Sequence, residues 1–203
     1  MKNNKNENTE SLILEAAKSI FQIKGMDGAR MQEIADKAGI NKAMLHYYYR
    51  SKQMLFEDVF KNAFSLLAPQ LNAILNDDSS IKEKIRNFSS NYITFITEHP
   101  YLPNFIIQEL NRNPDFILKM KDNNVLPNLT KFKKQVALEV EKGIIRSIDP
   151  AQLFINILAL NVFPFIAKPL IQNLIDVDNS AFQELINNRK TEVANFIINS
   201  IKI

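Results

Sequence analysis

The chain has 203 residues, 46% of them hydrophobic, with no cysteine and a formal charge of +3 at pH 7. That length suits one substantial domain, or a small domain fused to a medium one. The missing cysteine excludes disulfides, thiolate metal sites and cysteine nucleophiles, and so slight a charge cannot coat nucleic acid, so any such contact must be local. Four glycines against eight prolines, few alternating β-branched runs and abundant helical periodicity predict an all-α fold. The opening residues, MKNNKNENTE, lack the apolar core of a signal peptide, and no later stretch reaches the roughly 18 unbroken apolar residues of a membrane span. The expectation is a cytoplasmic chain with no membrane partner.

Residues 1–9 are polar and rich in Asn and Lys, which predicts a disordered arm. From Glu10 to Lys24, Ile13, Ala16, Ala17, Ile20 and Phe21 recur at helical spacing, and Gly25 follows as a C-terminal cap. A short second helix is expected from about Met31 to Lys37, with Ile34 and Ala35 facing inward, and Gly39 supplies a sharp turn. Asn41 then caps a third helix, about Lys42 to Arg50. Ser51 caps a long fourth that carries Leu55, Phe56, Val59, Phe60, Ala63, Phe64 and Leu67, and Pro69 should kink or shift it. Ser79 or Ser80 caps the next helix, which runs to about Glu98. Further helices are predicted at about 101–111, 114–122, 126–146, 150–167 and 179–201.

Two short helices joined by a Gly-centred turn, with a longer helix before them, are the geometry that presents one helix to a DNA major groove. Between Lys37 and Lys52 the chain carries Lys37, Lys42, Arg50 and Lys52 and no acid. On the third helix Lys42, Ala43, His46 and Tyr47 share one face, while Leu45, Tyr48 and Tyr49 are placed mostly toward the other. Small or polar residues at its exposed end allow close approach to base edges.

The order Ala16-Ala17, Ile20-Phe21, Gly25, Ile34-Ala35, Ala38-Gly39-Ile40-Asn41-Lys42, Leu45, Tyr47-Tyr48-Tyr49, Ser51-Lys52 and Leu55 strongly resembles the N-terminal domain of the tetracycline-repressor (TetR) family of transcription regulators, over roughly residues 10–65. The resemblance implies a DNA-binding domain at 10–66, with its helix-turn-helix at about 30–49, fused to a C-terminal helical regulatory and dimerisation domain at 67–203. It also implies a homodimer whose recognition helices sit about one DNA turn (~34 Å) apart on a palindromic operator, with repression as the family default. By the family pattern Lys42, Ala43, Met44 and His46 lie near bases and Gln32 reaches in from the second helix. Tyr47, Tyr48 and Lys52 hold phosphates. Met31 stands where the family usually has a capping threonine, Ala43 where a glycine is common, and His46 where a tyrosine is frequent. These departures should alter which operator is read.

The helix around Leu153–Ile166 is apolar nearly all round, broken only by Asn156, Asn161 and Pro164, and so needs cover on both sides. The last helix adds a stripe of Phe182, Leu185, Ile186, Val193, Phe196 and Ile197. The resemblance implies that these last two helices form the dimer interface; filling the monomer core is the alternative. Between the two ends lie Phe64, Phe88, Tyr92, Phe95, Phe105, Phe116, Met120, Phe132 and Phe165. In this family such residues imply a pocket for a small apolar or aromatic inducer, oriented by Gln108, Glu109 or Asn161, although Glu109 could instead pair with Arg112. The only histidines are His46 and His99, and no G-x-S-x-G or Gly-rich phosphate loop is present, so neither an enzyme nor a cofactor or metal is expected. A helical module that keeps the fold without reading DNA is the rival, favoured by Met31 and Ala43.

Overall fold

The computed structural model describes residues 2–100, 102–112 and 127–203, and every element among them is a helix. They are α1 (Lys2–Gly28), α2 (Met31–Lys37), α3 (Lys42–Tyr48), α4 (Lys52–Asn76), α5 (Ile81–Glu98), α6 (Leu102–Arg112), α7 (Thr130–Glu141), α8 (Pro150–Ile166), α9 (Lys168–Leu174) and α10 (Asn179–Ser200). The helix expected at 114–122, with Phe116 and Met120, lies outside the described residues, as does the Glu109 side chain. The helices fall into two units, one ending at Ser65 and one spanning Leu66–Ile203.

In the first unit α1 already begins at Lys2, where a disordered arm is expected up to residue 9. Extending an existing helix adds one hydrogen bond per ordered residue without a new nucleus, which lets this polar stretch continue α1. Gly25 breaks α1 with φ 65, a backbone state open to glycine, before one last turn. Inside lie Ile13, Ala17, Phe21, Ile34, Ala35, Leu45, Leu55, Phe56 and Phe60, all buried. Phe21 meets Phe56 edge to face, ring centroids 5.0 Å apart.

The turn between α2 and α3 is set by α2's own end. Gly39 takes φ 69, its N–H donates to Asp36 O (3.2 Å), and the Ile40 N–H donates to Ala35 O (3.0 Å). This Schellman arrangement closes the helix and turns the chain. Pro69, by contrast, does not end α4, which runs on to Asn76. Ser65 and Pro69 both face solvent, so the carbonyl that Pro69 deprives of a donor can bond water.

In the second unit α5 packs mainly on α10, with α8 and α7 also against it. Ser80 and Glu83 form a reciprocal capping box at its start. The ammonium of the buried Lys84 donates to Asp77 Oδ1 (2.6 Å), Asp77 O (2.8 Å) and Ile74 O (3.3 Å), closing the last turn of α4. Glu139, also buried, accepts from the Ile81 N–H at 3.1 Å. Helix α7 stops at Glu141, short of the expected 146, because Gly143 (φ 64) makes a second Schellman turn, with Ile144 N–H on Glu139 O at 2.9 Å. α9 has no counterpart in the periodicity; Pro169 falls in its first turn, where a missing N–H is harmless. Among the described residues no single helix is long and apolar enough to cross a membrane.

Candidate nucleic-acid interface

Helix α3 is fixed at its start by Asn41, whose side chain accepts the Met44 N–H at 2.7 Å. Leu45 is its buried anchor. With Leu45 inward, Lys42, Ala43, Met44, His46 and Tyr47 are exposed, Tyr47 to 79%. Tyr48 is half-buried and meets the Tyr47 ring edge to face, centroids 5.5 Å apart. Six of the eight residues expected at DNA thus lie on this one short helix.

The other two are engaged within the unit. Lys52 Nζ donates to Ala29 O (3.0 Å) and Asp27 O (3.3 Å), bracing the link between α1 and α2. Gln32 is exposed, and its amide donates to Asp36 Oδ1 at 2.7 Å, one turn along α2. At the N-terminus of α2 the cap position belongs to Arg30, with no side-chain hydrogen bond. Met31, expected at a capping position, is instead the first residue of the helix, so a change there removes no cap.

What holds the face rigid is a set of bonds that periodicity does not reveal. Tyr49, immediately after α3, is buried, and its hydroxyl donates to Asp58 Oδ2 at 2.7 Å, with Glu10 Oε1 at 3.5 Å. Burial first, then the Asp58 carboxylate, push the phenol well above its ordinary pKa of 10.0, so it stays a neutral donor. Lys24 on α1 pairs with Glu33 on α2 at 2.8 Å, and that bond lowers the Glu33 carboxyl below its usual range. Lys37 donates to Ser19. α2 is thereby tied to α1, and the base of α3 to α4.

Residues 13–59 match the family described as bacterial regulatory proteins, tetR family. Those residues are a TetR-family DNA-binding domain. Among its relatives, RutR, an HTH-type transcriptional regulator of Escherichia coli K12, is 26% identical over 150 residues, covering 72% of this chain and 69% of RutR. IcaR, the negative transcriptional regulator of the biofilm operon icaADBC in Staphylococcus aureus, is 24% identical over 130 residues, covering 64% of this chain and 66% of IcaR. The fold is shared with the transcriptional regulator FadR of Bacillus subtilis, solved in complex with stearoyl-CoA, at a TM-score of 0.63 and 16% identity across 93% of this chain and 97% of FadR. With this domain and these relatives, the chain is a DNA-binding regulator of transcription and not an enzyme.

The residues expected at an inducer are only partly brought together. Phe88 and Tyr92 on α5 are buried and stacked, centroids 5.4 Å apart, and burial raises the Tyr92 hydroxyl above its ordinary pKa. Asn161 on α8 is buried beside α5; its amide donates to Ile157 O (2.7 Å) and Ser89 Oγ (3.2 Å), and its Oδ1 has no partner among the described residues. Phe95, Phe105 and Phe132 are buried in the same unit, Phe95 against His99 and Phe132 against Phe154. Phe165 is half-buried and Gln108 exposed. Phe64 belongs to the first unit, half-buried and stacked on Phe60. Glu109's side chain and Phe116 lie outside the described residues.

Helix α8 buries only one side, through Leu153, Ile157, Asn161 and Pro164. Its other side leaves Ile155 52% and Phe163 55% exposed, and on α10 Phe196 is 66% exposed while Phe182, Ile186, Val193 and Ile197 are buried.

Proposed function

We propose that this TetR-family chain is a homodimeric repressor that reads a palindromic operator with α3 and is released by a small apolar or aromatic inducer. One observation carries the reading of DNA by α3: an acid-free stretch whose buried Leu45 turns Lys42, Ala43, Met44, His46 and Tyr47 together into solvent. In the complex the first four lie at base edges and Tyr47 and Tyr48 at phosphates, with Gln32 joining from α2. Lys52 keeps its two carbonyl bonds and points its remaining N–H at a phosphate.

The homodimer is supported by the exposed apolar side of α8 and α10, since Ile155, Phe163 and Phe196 in water would be a costly surface for a monomer. The inducer reading is supported by the stacked Phe88–Tyr92 pair on α5 and by Asn161, which bonds Ser89 on the same helix and keeps an Oδ1 with no partner among the described residues. FadR, with its acyl-CoA, is a relative in fold that binds an apolar chain. Repression is supported by the negative regulator IcaR. An inducer acts by favouring the state whose two α3 helices no longer fit the operator.

Selection of sites from a random DNA pool tests the reading. The expected consensus is a palindrome with half-sites about 10 base pairs apart, eluted by members of a panel of hydrophobic compounds. Recovery of no consensus would defeat it, and unchanged retention across the panel would defeat the inducer.

A further inference from the structure

The exposed side of α10 carries one charged group that its own chain leaves incomplete. Arg189 sits half-buried midway along the helix, and its Nη2 donates to Leu160 O on α8 at 2.7 Å. Its Nε is buried with no acceptor among the described residues, and desolvation lowers the guanidinium's pKa. Nη1 is not sealed in, and it forms no bond with any described residue, so a carboxylate from outside can reach it. Glu192, one turn along, is exposed and forms no ion pair with any described residue, including Arg189. Both residues line two adjoining shallow grooves, one bounded by Leu185 and the other by Leu160 and Phe196.

The spacing of these residues is self-complementary. Leu185 precedes Arg189 by four residues and Phe196 follows Glu192 by four. A twofold axis crossing α10 midway between Arg189 and Glu192 therefore sets Arg189 opposite the partner's Glu192, and Leu185 in register with the partner's Phe196. An isologous contact makes each such pair twice. On the homodimer proposed above, we infer that Arg189 and the partner's Glu192 form a reciprocal charge lock at the twofold axis. The lock fixes the register of α10 on its mate and selects a second copy of this chain as the partner. Apolar side chains alone would tolerate sliding; a half-buried cation and an unpaired anion at matched distances from one axis do not.

Sedimentation equilibrium of the full chain, with the wild type beside Glu192→Gln, Glu192→Arg and Arg189→Glu, tests the lock. Glu192 is exposed in the single chain, so its two variants do not threaten the fold. Each variant alone should raise the dimer dissociation constant about tenfold or more. Mixing Glu192→Arg with Arg189→Glu should restore dimers as heterodimers, because only then does every cation face an anion across the axis. A bond within one helix would give no such rescue by mixing. If Arg189→Glu fails to fold, Glu192→Arg decides alone. A wild-type dimer that Glu192→Arg leaves unchanged, or a folded pair of variants that form no heterodimer, overturns the lock and leaves the homodimer standing. A wild-type monomer at micromolar concentration overturns both.

Discussion

Arg189 Nη2 bonds the Leu160 carbonyl at 2.7 Å, the acceptor that Pro164, lacking an N–H, cannot serve from one turn further along α8. The proline opens a gap in the backbone ladder of one helix and the arginine of another fills it, which pins α10 to α8. Arg189→Ala should cost about 1 kcal/mol through the lost charged hydrogen bond. Pro164→Ala returns the N–H and should shrink that cost. A double-mutant cycle by urea unfolding, at one protomer concentration, checks the coupling; strictly additive losses would deny it.

Tyr49 makes the first unit sensitive to alkali. A phenol whose folded pKa lies above its ordinary 10.0 contributes fully below about pH 10, and the contribution is lost as pH rises toward the folded value, because the unfolded chain releases its proton first. Tyr49→Phe should therefore cost about 1 kcal/mol near neutrality, by losing the bond to Asp58. Its unfolding curve should also be flatter than wild type's above about pH 10. Parallel melts from neutral to alkaline pH measure both effects.

Lys84→Met would keep the length of this buried side chain and remove its ammonium from Asp77 and from the last carbonyls of α4. A loss of about 2 kcal/mol is expected, since the partners are left without a donor. Thermal unfolding of the variant reads it, and pairing it with Asp77→Asn should recover part of the loss.

The elements that were legible in sequence are those whose ends are written in local chemistry. Gly39 and Asn41 set the end of α2 and the start of α3, and the structure has both. Gly143 carries the same signal for α7, which the apolar periodicity running to 146 hides. Lys52 and Arg189 were not legible in that way. Their bonds go to carbonyls distant in sequence, and a long cation reaching a backbone oxygen leaves no periodic trace. Tyr49 reads as a packing residue, which it is, but its hydroxyl partner Asp58 lies on another helix and is invisible to spacing.

On DNA the roles assigned to α3 and to Lys52 of α4 separate by kind of loss. Lys42→Ala and His46→Ala should relax base preference at particular operator positions, each by about 1 kcal/mol or more of discrimination. Lys52→Ala should weaken operator and random DNA alike and reduce the slope of log K against log salt by about one. It should also lower stability by about 1 kcal/mol, since the same ammonium holds Asp27 O and Ala29 O. Equal losses on operator and random DNA for Lys42→Ala and His46→Ala would contradict their base-reading role. Titrations at several salt concentrations distinguish the cases.

The most direct measurement is a competitive mobility shift of the wild-type chain on the DNA flanking its own gene, against random duplex at physiological salt. Reading by α3 predicts a retarded complex that survives a large excess of random duplex and is lost in competition when Lys42 and His46 are both alanine. A complex that random DNA displaces as readily as flanking DNA, or that the double variant keeps unchanged, would contradict it.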